Sequence, residues 1–175
     1  MIFGKTLPAL QSLNEMMKLR HCIEKKYLTI VSGCIQQNLD LVNYVKKNDK
    51  EGKMYLVSKE DKEALKMHTM VHPLEYNQNY SLLEVKIITG RTHQIRIHMA
   101  SIDHPVIGDS KYGDFELNKQ IKKQYHLNHQ YLHAHQICFI KPIGILSYLQ
   151  DKTITCPLPE KLSQIKKEIF NSTTK

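Results

Sequence analysis

The sequence lacks the features that mark membrane and secreted proteins. No apolar run approaches the roughly 20 residues that a membrane-spanning helix needs. Residues 1–5 contain neither an apolar leader core nor a small-residue cleavage site. The four cysteines stand far apart without a C-x-x-C pair, which argues against the disulfide framework of a small secreted domain. We therefore expect a cytoplasmic protein that does not enter a membrane.

The chain has no internal repeat or low-complexity segment, and its charge is one-sided. Of its 175 residues 41% are hydrophobic, which predicts one folded domain over 1–175. There are 25 Lys and Arg against 17 Asp and Glu, a formal net charge of +8. Basic side chains favour polyanionic partners because each phosphate that they neutralise releases condensed counterions. The lysines are scattered, so the charge favours a nucleic-acid partner without deciding for one.

A group of histidines near residue 130 leaves a second possibility open. His126, His129, His133 and His135 lie close together in the sequence, and the last two would share one face of a strand. A zinc site needs a complete set of ligands, and no nearby carboxylate or cysteine set completes one here. A small-molecule or metal-binding protein that uses these histidines is therefore an alternative, although we expect no metal.

Hydrophobic periodicity predicts an α+β fold with a mixed, largely antiparallel sheet flanked by helices. Residues 34–62 are polar and weakly patterned, which predicts loops with one or two short strands. We expect Thr6 and Thr92 to cap the first two helices, and we expect the asparagines at 77–79 to form a hairpin turn. The predicted helices cover 6–20, 93–102, 117–123 and 160–170, and the predicted strands cover 27–31, 69–76, 81–89, 131–140 and 145–149.

Polar residues are unusually dense where the predicted strand 81–89 gives way to a helix. The segment Thr89-Gly90-Arg91-Thr92-His93-Gln94-Ile95-Arg96-Ile97-His98 holds two arginines, two histidines and a glutamine within ten positions. The residues alone leave two interpretations equally open. Either the segment is a functional site, or its arginines pair with surface carboxylates and its histidines decorate a helix.

The segment resembles the TGRTHQIR hallmark of the RluA-type pseudouridine synthases. Further motifs of that family follow in its order and spacing, and others precede the hallmark, so the likeness covers essentially the whole chain. The matching residues are Phe3-Gly4-Lys5, Lys26-Tyr27-Leu28, Val31-Ser32-Gly33, His104-Pro105, Gly108-Asp109, Tyr112-Gly113, Leu132-His133-Ala134 and Pro157-Leu158-Pro159.

The resemblance implies a pseudouridine synthase catalytic domain that isomerises uridine in RNA without metal or cofactor. The bond from N1 of the base to the sugar is cleaved, the base turns, and it rejoins the sugar through C5. A paired base must first be flipped into a pocket, for which an aromatic ring and a cation are suitable lining. Structured RNA is the implied partner, with large-subunit ribosomal RNA more expected than transfer RNA, and the complete protein is expected to be a monomer.

The resemblance also implies roles for single residues. Tyr27 would stack on the flipped base, Arg96 would be a buried arginine that pairs with the catalytic carboxylate, and Leu132 would belong to the apolar wall around that carboxylate. Without the resemblance, Tyr27 is more simply a core aromatic of a strand, and Arg96 forms a helix-face ion pair. Because a buried arginine without a carboxylate would be strongly unfavourable, the partner of Arg96 matters.

The remaining polar residues of the motifs are assigned to supporting roles. Arg91, His93 and Gln94 would shape the motif turn and contact RNA phosphate, and Asp109 would order its loop rather than act as the nucleophile. Asp103 replaces the family's usual glycine before His-Pro. We expect it to take a left-handed conformation at the end of the helix, at a modest cost in stability.

The family's catalytic aspartate lies in an HRLDxxTSG motif, directly before the segment that Phe3-Gly4-Lys5 matches. No R-L-D or T-S-G occurs in this chain, nor does a separate S4-like RNA-binding domain. We therefore expect the C-terminal portion of a synthase, from a late start codon or an interrupted gene. The leading alternative is an RNA-binding remnant that lacks catalytic activity because it lacks the nucleophile.

Overall fold

The computed structural model describes residues 2–48 and 51–171 of the chain. No helix in these two ranges is long and apolar enough to cross a membrane. The elements are, in chain order, α1 (Leu7–Leu19), β1 (Ile23–Ser32), β2 (Leu39–Asn48), β3 (Lys53–Val57), β4 (Leu65–Tyr76), β5 (Tyr80–Ile87), α2 (Gln94–Ala100), α3 (Phe115–Tyr125), β6 (Leu132–Phe139), a 3-10 helix (Gly144–Leu149), β7 (Thr153–Thr155) and α4 (Glu160–Asn171).

The strands form one sheet in the order β3-β2-β4-β5-β1-β6-β7. All neighbouring pairs among these described strands are antiparallel. The predicted α+β fold with a largely antiparallel sheet is therefore confirmed. β1 lies inside the sheet, between β5 and β6, so both of its edges are paired and its side chains alternate between two covered or partly covered faces.

Helices cover parts of both faces of the sheet. Ile30 and Val31 are adjacent in β1 and therefore point to opposite faces. Ile30 packs with residues of α3 and α4, whereas Val31 packs with Ile95 and Met99 of α2. α1 covers the start of β1 and the end of β6 through a separate apolar cluster. The segment between β5 and α2 is thus held on the α2 face of the sheet.

Single residues set the geometry of two turns. β1 ends before Gly33, which has a φ of 80°, a conformation that glycine adopts without strain. The hairpin of β4 and β5 turns at Asn77, whose Oδ1 accepts hydrogen bonds from the backbone N–H groups of Asn79 at 2.9 Å and Tyr80 at 2.8 Å. Thr6 accepts from the backbone N–H of Ala9 at 3.4 Å, so the predicted cap of α1 is also confirmed.

Two predicted segments differ from the structure. Residues 34–62 contain two strands, as expected, but only β3 is short, with five residues, whereas β2 spans ten. The polar residues of β2 obscured its length in the sequence. Residues 145–149 form a 3-10 helix instead of a strand, because Gly144, at a φ of 60°, turns the chain and Leu146 packs against α1. Short apolar runs do not distinguish these two conformations.

Thr92 does not cap α2, contrary to the prediction. The N-cap position is taken by His93, which has a left-handed backbone with a φ of 56° and makes no side-chain capping bond. The backbone N–H of Arg91 is instead bound by the side chain of Gln94, at 3.0 Å. The helix therefore begins one residue later than a threonine cap would place it.

Asp103 has the left-handed conformation expected of it, with a φ of 61°. Such a backbone brings the Cβ atom close to the following carbonyl in any residue but glycine. We expect Asp103→Gly to raise the free energy of unfolding by about 0.5–1 kcal/mol. Glycine removes the left-handed strain, and this gain exceeds the loss from its greater conformational entropy in the unfolded chain.

Denaturant unfolding of the two chains measures this difference. Ala100→Gly, in the last turn of α2, is the matched control and should lower stability by about 1 kcal/mol because its backbone is helical. Destabilisation by both substitutions would show that the left-handed strain at Asp103 is not significant.

Candidate functional site

A buried ion pair joins α2 to the loop that follows it. Arg96 is 7% exposed and Asp109 is 1% exposed. The guanidinium donates two hydrogen bonds to the carboxylate, from Nε to Oδ2 at 2.6 Å and from Nη2 to Oδ1 at 2.5 Å. This two-bond geometry is the strongest that arginine and a carboxylate can form. It fixes the loop against the helix that carries the motif.

Asp109 also holds its own loop together. Its Oδ1 accepts the backbone N–H groups of Lys111 at 2.8 Å and Tyr112 at 3.1 Å, and its carbonyl accepts from the Asn118 amide at 2.8 Å. Burial alone raises the pKa of Asp109, but the hydrogen bonds from Arg96 and the two backbone groups outweigh it and lower the pKa below its ordinary value. The carboxylate is therefore ionised at neutral pH and occupied by donors, which suits a structural group.

Arg96 is buried, as the resemblance implied, but its carboxylate partner in the structure is Asp109. From the sequence, Asp109 is predicted only to order its loop, and its pairing with Arg96 was missed. The third guanidinium nitrogen, Nη1, forms no hydrogen bond within the described residues. The signal was available, because a buried arginine requires a carboxylate and Asp109 belongs to the same set of motifs.

Tyr112 connects this ion pair to His93. The guanidinium carbon of Arg96 lies 5.2 Å from the centre of the Tyr112 ring. The Tyr112 hydroxyl accepts the backbone N–H of Met54 at 3.0 Å and lies 3.1 Å from His93 Nδ1. Since the hydroxyl proton is then directed at Nδ1, we assign the His93 proton to Nε2. Desolvation, followed by the charges of Arg96 and Lys111, lowers the pKa of His93 and keeps the ring neutral.

The motif turn rests on a buried amide. Gln94 is 3% exposed, and its Oε1 accepts from the Thr89 hydroxyl at 2.6 Å and from the Arg91 backbone at 3.0 Å. Its Nε2 donates to the His68 carbonyl and to Thr69 Oγ1, both at 2.9 Å. All four hydrogen-bonding positions of the amide are used. Gln94 thereby ties the turn to β4.

His98 extends this network into the core. The ring is fully buried, its Nδ1 lies 2.6 Å from Thr69 Oγ1, and its Nε2 has no partner among the described residues. Burial, followed by the charge of His68, lowers the pKa of His98 to about 4. Thr69 Oγ1 accepts a hydrogen bond from Gln94 Nε2 and donates its hydroxyl proton toward His98 Nδ1. The neutral ring therefore carries its proton on Nε2.

Tyr27 borders a cavity of about 440 Å³ on the sheet, together with Lys25, Ala134 and Ile137. In the register of the sheet Tyr27 lies opposite Ala134 of β6 and Val85 of β5. Burial raises the pKa of the Tyr27 hydroxyl, which therefore stays protonated at neutral pH. The cavity combines an aromatic ring, apolar walls and a cation, which suits a planar base attached to a charged backbone.

None of the other predicted residues lines this cavity within the described ranges. Leu132 packs in the same apolar cluster as Tyr27. Arg91 donates from Nε to the Lys66 carbonyl at 3.1 Å. Neither Arg91 nor Arg96 lines the cavity in the described ranges. The structure therefore groups the predicted residues in two neighbouring clusters, the Tyr27 cavity and the ion-paired motif turn.

Two histidines of the group near residue 130 contact the same backbone carbonyl. Both His133 Nε2, at 3.0 Å, and His135 Nδ1, at 3.1 Å, lie against the carbonyl of Cys156. Within 2–48 and 51–171, no three His, Cys, Asp or Glu side chains are arranged to hold a metal ion. The metal-binding alternative therefore gains no support from these histidines.

Comparisons with known proteins agree with the motifs. A family model described as RNA pseudouridylate synthase matches residues 1–101. The ribosomal large subunit pseudouridine synthase C of Haemophilus ducreyi is 31% identical over 166 residues, 94% of this chain and 50% of the relative. The tRNA pseudouridine synthase C of Vibrio parahaemolyticus is 32% identical over 133 residues, 70% of this chain and 54% of the relative. The chain thus spans about half the length of the curated relatives that it matches.

Solved structures show the same fold. Human RNA Pseudouridylate Synthase Domain Containing 4 superposes with a TM-score of 0.67 at 21% identity, covering 92% of this chain and 69% of the other. Human RNA Pseudouridylate Synthase Domain Containing 1 superposes with a TM-score of 0.63 at 23% identity, covering 94% and 72%. At these identities the superpositions establish the fold and nothing further.

Removing the charge of Asp109 should destabilise the protein strongly. Asp109→Asn leaves the buried Arg96 without its counterion, and we expect a loss of about 3 kcal/mol in the free energy of unfolding. Denaturant unfolding measures the loss. The matched control is Asp114→Asn, because Asp114 is the exposed N-cap of α3 and asparagine caps a helix about equally well. Equal losses in the two variants would contradict the importance of the ion pair.

His98 should make stability depend on pH. The folded pKa of about 4 lies below the ordinary 6.5, so between these values the unfolded chain binds a proton that the folded chain does not. Stability is therefore complete above pH 6.5 and falls as the pH drops toward 4, by on the order of 3 kcal/mol in total.

Denaturant unfolding at a series of pH values, for the original chain and for His98→Gln, measures this dependence. Glutamine retains a polar group beside Thr69 but does not titrate in this range. The difference between the two curves should shrink as the pH falls from 6.5 to 4. Parallel curves over this range would show that His98 has an ordinary pKa.

Proposed function

The chain belongs to the RNA pseudouridylate synthase family, and from this membership we propose that it carries the uridine-binding part of an enzyme that isomerises uridine in RNA to pseudouridine. The observation that carries the proposal is the Tyr27 cavity beside the motif turn, which is held by Gln94 and by the ion pair of Arg96 and Asp109. Large-subunit ribosomal RNA is the first substrate to test and transfer RNA the second, and the complete protein acts as a cytoplasmic monomer.

In this proposal Tyr27 binds the flipped base. Its ring offers a stacking surface that every base can use, and the apolar walls of the cavity exclude water from the base. Lys25, at the border of the same cavity, supplies a positive charge. The raised pKa of Tyr27 keeps its hydroxyl protonated, so the hydroxyl can donate a hydrogen bond to a base carbonyl.

The reaction also requires a nucleophile or base, which the family takes from the aspartate of its HRLD motif. No carboxylate lines the Tyr27 cavity in the described ranges, and Asp109 is already bound by Arg96 and two backbone groups. The free Nη1 of Arg96 is the nitrogen that could hold the nucleophilic carboxylate in place. Arg96 would then bridge two carboxylates, one structural and one catalytic.

The same observation supports a second candidate function. Without a carboxylate in its cavity, the chain by itself would bind RNA and leave uridine unchanged. The two functions predict the same affinity for RNA and differ only in the conversion of uridine to pseudouridine. An experiment that supplies the aspartate of the HRLD motif therefore distinguishes them.

The experiment assays pseudouridine in ribosomal and transfer RNA by carbodiimide-dependent primer-extension stops. It compares the 175-residue chain with a fusion in which an HRLD-containing segment of the family precedes Ile2. We expect conversion by the fusion alone. Conversion by neither protein, with RNA binding retained, would favour the silent RNA-binding function. Conversion by the chain alone would place the nucleophile among these residues, against the proposal.

Within the active fusion, Tyr27→Leu should lower conversion at least 100-fold, since it removes the stacking ring and keeps an apolar side chain in the cavity. Tyr148→Leu is the matched control, because Tyr148 is 70% exposed in the 3-10 helix and does not line the cavity. Unfolding curves of both variants establish that they fold. Equal activity of the two variants would remove Tyr27 from the uridine site.

A further inference from the structure

Lys25, which lines the Tyr27 cavity, lies near two further basic residues. Arg20 follows α1, Lys25 lies in β1 and Arg91 lies in the turn after β5. None of the three forms an ion pair with a described Asp or Glu. We call these residues the cation cluster.

A close approach places Lys25 beside the motif turn, and charge effects relate Arg20 to both Lys25 and Arg91. A Cβ atom built on Gly90, next to Arg91, would lie 4.0 Å from the Lys25 ammonium nitrogen. The same nitrogen lies 3.8 Å from the sulfur of Met17 in α1, a weak acceptor that cannot neutralise it. After burial, the charge of Arg20 is the second cause that lowers the pKa of both Lys25 and Arg91. Both shifts thus have the same two causes, burial and the positive charge of Arg20.

The opposite face of the same strands shows the contrasting arrangement. Lys26 of β1 pairs with Glu84 at 2.9 Å, and Lys86 of β5 pairs with Glu24. Lys25 and Lys26 are neighbours in β1, so their side chains leave the sheet on opposite faces. Lys26 and Lys86 are thus paired on one face, whereas Lys25, on the face that carries Tyr27, forms no ion pair with a described carboxylate.

The cation cluster is unfavourable in the free protein. Arg20 is held in a left-handed conformation with a φ of 57°, which is strained for any residue but glycine. Lys25 and Arg91 lose hydration by burial and are repelled by Arg20. The C-terminus of α1 favours a nearby positive charge, but this accounts for Arg20 and not for the other two. An anion bound between them would relieve the repulsion.

We propose that Arg20, Lys25 and Arg91 bind one phosphodiester group of the RNA strand, at the nucleotide whose base lies against Tyr27. The inference rests on the proposed function and assigns a backbone site to it. Lys25 and Tyr27 are two positions apart on one face of β1, about 7 Å along the strand, and both border the cavity. One nucleotide can therefore place its base on Tyr27 and its phosphate on the cation cluster.

The test measures the affinity of the 175-residue chain for a fluorescent RNA stem-loop with a single loop uridine, over a series of salt concentrations. We expect Lys25→Gln and Arg91→Gln each to weaken binding at low salt about 5- to 10-fold. Each should also reduce the slope of log affinity against log salt by about 0.7–0.9, the value for one lost phosphate contact. The control is Lys86→Gln, on the neighbouring strand and the opposite face, which should leave the slope unchanged.

A second arm identifies the phosphate. Replacing the phosphodiester next to the loop uridine by an uncharged methylphosphonate should weaken binding to the original chain and have little effect on Lys25→Gln. If Lys25→Gln and Lys86→Gln bind the RNA with equal affinities and equal salt slopes, the inference is overturned and the proposed function stands. If the original chain shows no salt-dependent binding to the RNA, the proposed function and the inference both fail.

Discussion

The ion pair between Arg96 and Asp109 is the interaction on which the candidate site depends. Its two hydrogen bonds cross from α2 to the loop after it, and the same carboxylate orders the backbone of that loop. Tyr112 is thereby placed over the guanidinium, from where its hydroxyl reaches both β3 and His93. A buried pair of this kind adds little net stability compared with apolar residues, but it is costly to break. Its effect is to hold the loop against α2.

The sequence predicted those parts of the fold that depend on local patterns. The hairpin at Asn77, the cap at Thr6 and the end of β1 at Gly33 each follow from the backbone preferences of single residues. The segment 145–149 and the strand β2 were mispredicted because tertiary contacts decide them. Leu146 packs against α1, and β2 pairs with β4 on one side and with β3 on the other.

For the site, the motifs identified the residues but not their partners. The density of polar residues in 89–98 indicated a site, and the resemblance gave its chemistry. That Asp109 would occupy Arg96, and that Gln94 rather than Thr92 would organise the start of α2, depend on distances across the fold. Of the cation cluster, the motifs indicated only Arg91 as a contact to RNA phosphate. Arg20 and Lys25 are ordinary basic residues in the sequence, and only the fold relates them to Arg91.

The position of β1 in the sheet has a consequence for how the chain folds as it is synthesised. β5, the partner on one side, follows within the first half of the chain, but β6, the partner on the other side, comes much later. Thr29 of β1 donates its hydroxyl proton to the carbonyl of Tyr131, 102 positions away. Contacts of such long range form slowly. Until β6 leaves the ribosome, one edge of β1 lacks its native partner, and an open edge of this kind can pair with other chains and promote aggregation of the nascent protein.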